Sequence, residues 1–198
     1  IGNNLTVDVG RNLAISGPIT SGATALLSVG QDAMIGGAGI TSRSLSVQTG
    51  KTLNVSGPIA VTQSGTLVSG TDMTTSGAII FGANGSISSG NNSILGSVTT
   101  GSNLTVAANL TAGTHLQISG TVATGTAFST LAGGDTTVSG AAISSGNNAS
   151  LTTANAMTFS GVVSTLQGFS ATAGATLNFS GKVEAGTGTD LTAGTALN

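Results

Sequence analysis

Short runs of alternating apolar and polar residues recur about every 20 positions along the whole chain. The clearest copies read GRNLAISG at 10–17, GKTLNVSG at 50–57, GTHLQISG at 113–120 and GATLNFSG at 174–181. The opening position is held by Gly10, Gly30, Gly50, Gly70, Gly90, Gly113, Gly133, Gly174 and Gly194, with Ala154 in the one gap. Counted from that marker, positions +3 and +5 are apolar in most copies, as in Leu13 and Ile15, Leu53 and Val55, Leu116 and Ile118, and Leu177 and Phe179. A period of two predicts a strand with one buried face. Position +9 carries Ile19, Ile59, Ile79, Val122, Val163 and Val183, which predicts a second short strand after the Ser-Gly corner. Positions −5 and −3 predict a third, as in Leu5 and Val7, Leu45 and Val47, and Phe169 and Ala171.

Three short strands and three corners per repeat describe one coil of an all-β, parallel β-helix (β-solenoid). The repeat runs through residues 1–198 as a single domain of about ten coils, roughly 45–50 Å long at the usual strand spacing. One coil buries about five aliphatic side chains at roughly 1.5–3 kcal/mol each. That sum does not exceed about 1.5 kcal/mol of ordering entropy per residue. Stability must come from the core and hydrogen bonds that neighbouring coils share. Pro18 and Pro58 share position +8, which should be a corner or the first residue of a strand, because proline lacks a donor. The glycines at 0 and +7 fit corners that need positive φ or a close backbone approach. The copy GNNSILGS, at 90–97, loses the Ser-Gly register by one residue, and the next marker is delayed to Gly113. The connection from Ser97 to Ala112 is therefore the expected place for an inserted surface loop.

Charge is sparse: four Lys and Arg, six Asp and Glu, a net charge of −2, and no Trp, Tyr or Cys. No basic footprint or stacking aromatics are present, so no nucleic-acid partner is expected. The longest wholly aliphatic and aromatic stretch, Ala78 to Phe81, is far short of a membrane helix, and five scattered Phe cannot form the aromatic girdles of an outer-membrane barrel. Membrane insertion is not expected. The lack of cysteine suits export through an oxidising compartment. The chain carries no signal peptide or initiator Met and starts and stops inside a repeat, so it reads as a piece of a longer protein.

Asp32, Asp72, Asp135 and His115 all fall at +2, and Arg11 and Lys51 at +1, so these charges should share one corner. Asp32 and Asp72 lie two coils apart, roughly 10 Å, which is too far for a retaining carboxylate pair though within the inverting range. No further acid or base accompanies them, and they read as solvated corner tips. His115 is the sole histidine, which rules out an imidazole cluster within one chain. Ser16, Ser56, Ser76, Ser119, Ser139, Ser160 and Ser180 recur at +6 without a repeating base, so they read as a hydroxyl ladder supporting the corner. The calcium-roll phrase GxGxDx matches once, as GTGTDL at 186–191, and does not repeat from coil to coil, so no calcium roll is expected. The sequence thus assigns no catalytic, cofactor-binding or metal-binding residue, and the chain is read as a non-enzyme without cofactors.

Positions −4 and −2 face outward and are often Ser or Thr, among them Thr6, Ser46, Thr66, Ser86, Ser129, Ser150 and Ser170. Such a face could bind a glycan or ice, but Asp8, Gln48, Val68 and Leu131 interrupt it, and small or β-branched hydroxyls suit any exposed strand. Asn-x-Ser/Thr triplets begin at Asn4, Asn54, Asn84, Asn91, Asn103, Asn109, Asn148 and Asn178, each a potential glycosylation acceptor in a secreted protein.

The phrase glycine, then L-x-[VI]-S-G-x-[IV], followed by an L-x-V strand, resembles the β-helical shaft of filamentous-haemagglutinin-type exoproteins. These are two-partner secretion adhesins and the sticks of contact-dependent growth-inhibition proteins. The resemblance covers essentially the whole chain. It implies a right-handed parallel β-helix, exported through an outer-membrane two-partner transporter and displayed, or secreted, at a Gram-negative cell surface. The Asn-Pro motif of that family's secretion domain does not occur here, so the implied part is the shaft, carrying a distal binding or toxin region. A host-cell or bacterial surface receptor, or a glycan, is the implied partner. An autotransporter passenger, which uses similar coils, is the alternative reading, with a glycan- or ice-binding solenoid behind it. Exposed end coils should also present open strand edges and stack end to end.

Overall fold

A computed structural model describes residues 2–102, 115–139 and 142–198 and, for 104–108, the backbone path. All regular structure among the described residues is β-strand, arranged in three parallel sheets to which each pass of the chain contributes in turn. The first sheet has ten strands, from Leu5–Val9 to Gly188–Ala193. The second also has ten, from Leu13–Ile15 to Ala196–Leu197, and the third nine, from Ile19–Thr20 to Lys182–Ala185. The solenoid makes about nine turns, since the tenth pass reaches Asn198 before a third strand. Partners in register lie one repeat apart, as in Leu5 with Ala25, Leu53 with Ala33 and Ile79 with Ile59.

The alternation sets the interior. Positions −5, −3, +3, +5 and +9 face inward and form one continuous core that includes Leu27, Ile35, Leu53, Ile59, Leu67, Met73, Phe159 and Leu177. Two further inward columns carry weaker sequence signal because half of their members are hydroxyls. Position −1 holds Val29, Thr49, Ser69, Ser89, Ala132, Thr153 and Ala173, and the end of the third strand holds Ser21, Ser42, Val61, Phe81, Thr100, Thr124, Ser145 and Thr165, all buried. These positions close or directly follow a strand, so several of the hydroxyls reach a carbonyl of the next corner. Thr49 donates to Lys51 O at 3.1 Å, Ser89 to Asn91 O at 3.0 Å and Thr100 to Ser102 O at 3.1 Å. Burial without loss of hydrogen bonding is what lets serine and threonine line the interior here.

The marker glycines are there for closeness. A Cβ on Gly50, Gly70 or Gly90 would lie 2.1–2.2 Å from the carbonyl oxygen of the glycine one coil before. Positive φ is confined, among the described residues, to Gly37 and Gly39. A third column, with Gly82, Gly101, Gly125 and Gly146, repeats the same close contact at the corner after the third strand. Pro18 and Pro58 stand immediately before the third strands Ile19–Thr20 and Ile59–Val61, as expected.

Between Ser93–Leu95 and Val98–Thr100 the second corner is one residue short, which accounts for the lost register of that repeat. The connection from Ser97 to Ala112 is corrected by the structure. Val98–Thr100 pairs with the strands on both sides, and so does Leu104–Ala108, so these residues belong to ordinary coil. Residues 103 and 109–112 of that expected loop lie outside the described residues.

Candidate functional site

The +2 corner gathers the residues that the sequence singled out. In a parallel ladder the strand amides alternate in direction, and at this corner the amide of +2 has no carbonyl to meet. The side chain at +2 of the preceding coil supplies the acceptor. Asp32 N donates to Asn12 Oδ1 at 3.2 Å and Thr52 N to Asp32 Oδ1 at 3.1 Å. Asn92 N donates to Asp72 Oδ1 at 3.1 Å, His115 N to Asn92 Oδ1 at 3.0 Å, Asp135 N to His115 Nδ1 at 3.3 Å, and Ala156 N to Asp135 Oδ1 at 3.1 Å. Asn, Asp and His are interchangeable here because each presents an acceptor at the same reach.

The expectation of merely solvated tips is thereby sharpened. Asp72 Oδ1 also accepts from the side-chain amides of Asn91 at 2.9 Å and Asn92 at 3.1 Å, and Asp135 Oδ1 from Asn155 Nδ2 at 2.6 Å. His115 Nδ1 lies 3.4 Å from Asp135 Oδ2, with both side chains largely exposed. The sequence reading missed Asn12 and Asn92 as members of this column. The signal was a short acceptor side chain recurring at +2, whatever its charge.

The ladder directs its oxygens along the solenoid axis and towards no common point. Asp32 and Asp72 are separated by the Thr52 layer, where Thr52 Oγ1 lies 3.5 Å from Thr71 Oγ1. The depression beside Asp32, about 500 Å³, is lined by Leu13, Ala14, Met34 and Asn54 and contains that single carboxylate. One carboxylate does not make an acid–base pair. Among the described residues, no three His, Cys, Asp or Glu side chains group closely enough to hold a metal ion.

The +6 serines behave as a support only in part. Ser119, Ser160 and Ser180 donate to Leu95 O, Val138 O and Phe159 O of the coil before, at 3.3–3.4 Å. Ser56 and Ser76 are exposed.

Outside the corners, the first sheet presents two outward columns. Register places Ser46, Thr66, Ser86, Thr105, Ser129, Ser150 and Ser170 in one column and Ser28, Ser88, Thr152, Thr172 and Thr192 in the other. Leu26 and Leu131 stand exposed in the same columns at 40% and 39% and break them into patches. Of the Asn-x-Ser/Thr asparagines, Asn4, Asn54, Asn84, Asn148 and Asn178 are exposed. Asn4 Oδ1 and Asn148 Oδ1 accept corner amides from Thr24 at 3.2 Å and Gly168 at 2.8 Å, a second acceptor ladder of the same kind. Asn103 and Asn109 lie outside the described side chains.

No family model matches this chain, and no curated protein and no solved structure matches it.

Proposed function

We propose that the chain is a structural shaft of a secreted or surface-displayed bacterial exoprotein of the filamentous-haemagglutinin type, spacing a distal binding or toxin region from the cell. The observation that carries this reading is the unbroken stack itself. Three parallel sheets run the length of the solenoid around one continuous core, and no cluster of chemistry-bearing side chains interrupts the described coils. Such a ladder resists extension and proteolysis. Its contacts lie one repeat apart, so it can fold coil by coil as it leaves a transporter. The exposed face is hydroxyl-rich and nearly uncharged, which keeps a long rod from repelling itself.

Both end layers support self-stacking. Leu5, Val7, Leu13, Ile15 and Ile19 at one end, and Val183, Ala185, Leu191 and Ala193 at the other, are only partly buried. Open parallel edges over apolar layers favour addition of another coil. A concentration-dependent rise in scattering mass is expected, and a monomer at high concentration would contradict it.

The test of the shaft reading is genetic. Antibody raised against this chain should label intact producing cells, and deleting an adjacent two-partner transporter gene should abolish the label. A carboxy-terminal barrel on the same reading frame would shift the assignment to an autotransporter passenger. Labelling confined to lysed cells would overturn both.

A further inference from the structure

The third corner of the second pass is built unlike its neighbours. Ser42 aligns with Val61, and Leu45 with Ala25 and Gly65, so only Arg43 and Ser44 lie between these aligned positions. The passes on either side use three residues at the same corner, 22–24 and 62–64. The missing residue is returned one corner earlier, where Gly36 to Gly39 replace the usual three and the positive φ of Gly37 and Gly39 absorbs the extra length. A short corner between two full-length ones leaves a notch of about 440 Å³, lined by Ser21, Gly22, Thr41, Ser42, Arg43 and Thr62 together with Gln63. The same shortening orphans a hydroxyl. Ser21 and Ser145, in the column of Ser42, donate to Thr24 O and Asn148 O across their corners, whereas the buried Ser42 Oγ has no partner.

Arg43 stands in this notch as a held cation without a counter-charge. With its amide oriented to satisfy both ends, Gln63 accepts from Arg43 Nε and Nη2 at 3.2 Å each and donates to Ser44 Oγ at 3.3 Å. Among the described residues, no carboxylate lies within ion-pair distance of Arg43, while Lys182 pairs with Glu184. The guanidinium is fixed by neutral groups, and its remaining N–H donors are left for something else. The lining is otherwise hydroxyls and backbone, with no aromatic or long aliphatic side chain. That combination suits a small, oxygen-rich anion: a carboxylate on the guanidinium and ring hydroxyls on Thr41 and Thr62. The volume falls in the range of small-molecule sites.

We propose that this notch binds an acidic sugar, a uronic acid residue, with Arg43 as the anion ligand. The site stands independently of the shaft reading, since it rests on the local geometry of one corner. The test is an amide chemical-shift titration of the full chain with methyl glucuronide, with methyl glucoside and inorganic sulfate as parallel arms. Glucuronide should give saturable shifts at Thr41, Arg43 and Thr62, and the neutral glucoside should give none. Arg43→Ala should weaken binding about tenfold or more, and Arg43→Lys should fall between, since an ammonium keeps the charge but loses the planar fork. Arg43 is exposed, so the fold should survive. Gln63→Ala, which leaves the guanidinium loose, is a second variant that should weaken binding less than Arg43→Ala. No saturable shift with glucuronide, or equal binding of glucoside, would overturn the proposal. Retention of affinity in both Arg43→Ala and Gln63→Ala would also overturn it. Sulfate binding as tightly as glucuronide would reduce the site to an adventitious ion only and overturn the sugar assignment.

Discussion

The fourth and seventh passes enclose the same cross-section with opposite chemistry. In the fourth, Leu67 and Met73 fill the −3 and +3 columns, and Phe81 closes the third strand, all fully buried. In the seventh, the same two columns hold Thr130 and Thr136, equally buried, with hydroxyls that meet no partner. The aromatic ring in the fourth pass fits because Gly65 gives up its side chain. A Cβ there would lie 2.0 Å from the Phe81 ring. The lesson is that volume is balanced between neighbouring columns and layers, and that polarity is balanced only at strand ends. Ser89 and Ser93 satisfy each other at 2.7 Å across a corner, whereas Thr136, in the column of Ser93, has Ala132 where Ser89 would stand, and Thr130 lies mid-strand.

Breaking the comparison at its apolar side has the largest expected effect. Phe81→Ala leaves a cavity above Gly65 and should cost about 3–5 kcal/mol in denaturant unfolding. Gly65→Leu overfills the same space and should cost about 1–3 kcal/mol. Because the two residues share one space, the double variant should be more stable than the sum of the single losses by about 1 kcal/mol or more, and strict additivity would contradict shared volume. At the corner, Asp72→Ala removes the acceptor for three donors and should cost about 1–2 kcal/mol, whereas Asp72→Asn keeps a carbonyl in place and should cost under about 0.5 kcal/mol. Equal losses in the two variants would mean that charge, and not acceptor geometry, sets the role of the column. The smallest effect lies on the polar side of the comparison. Thr136→Val loses no hydrogen bond and should raise stability by about 1 kcal/mol or less, read from the unfolding midpoint.

The strands were legible because one face of each is buried, and burial writes a period of two into the sequence. Leu13, Ile15 and Ile19 announce their strands this way. The columns ending in Ser21, Thr49 or Thr100 were not legible, since a hydroxyl satisfied by a corner carbonyl looks like an exposed one. The corner charges were correctly collected at +2, but their task was hidden, because the ladder alternates Asn, Asp and His and only the unmet amide of the next coil explains the mixture. The irregular second pass was invisible for a different reason. Its extra residue at Gly36 to Gly39 and its missing one at Arg43 cancel, and a spacing of 20 counts residues per coil without saying which corner holds them. At Ser97 a one-residue deletion is followed by four extra residues between Ala108 and Leu116, and a marker spacing of 23 spread the expected loop over residues that form regular strands.

The central claim is that every pass stacks on the one before in a single continuous solenoid. The absence of native cysteine permits a direct measurement. Spin labels at Ser46→Cys and Ser170→Cys sit in one outward column, six layers apart, and the backbone separation should be about 29 Å with a narrow distribution. A broad distribution, or a mean longer by several layers, would contradict a continuous stack.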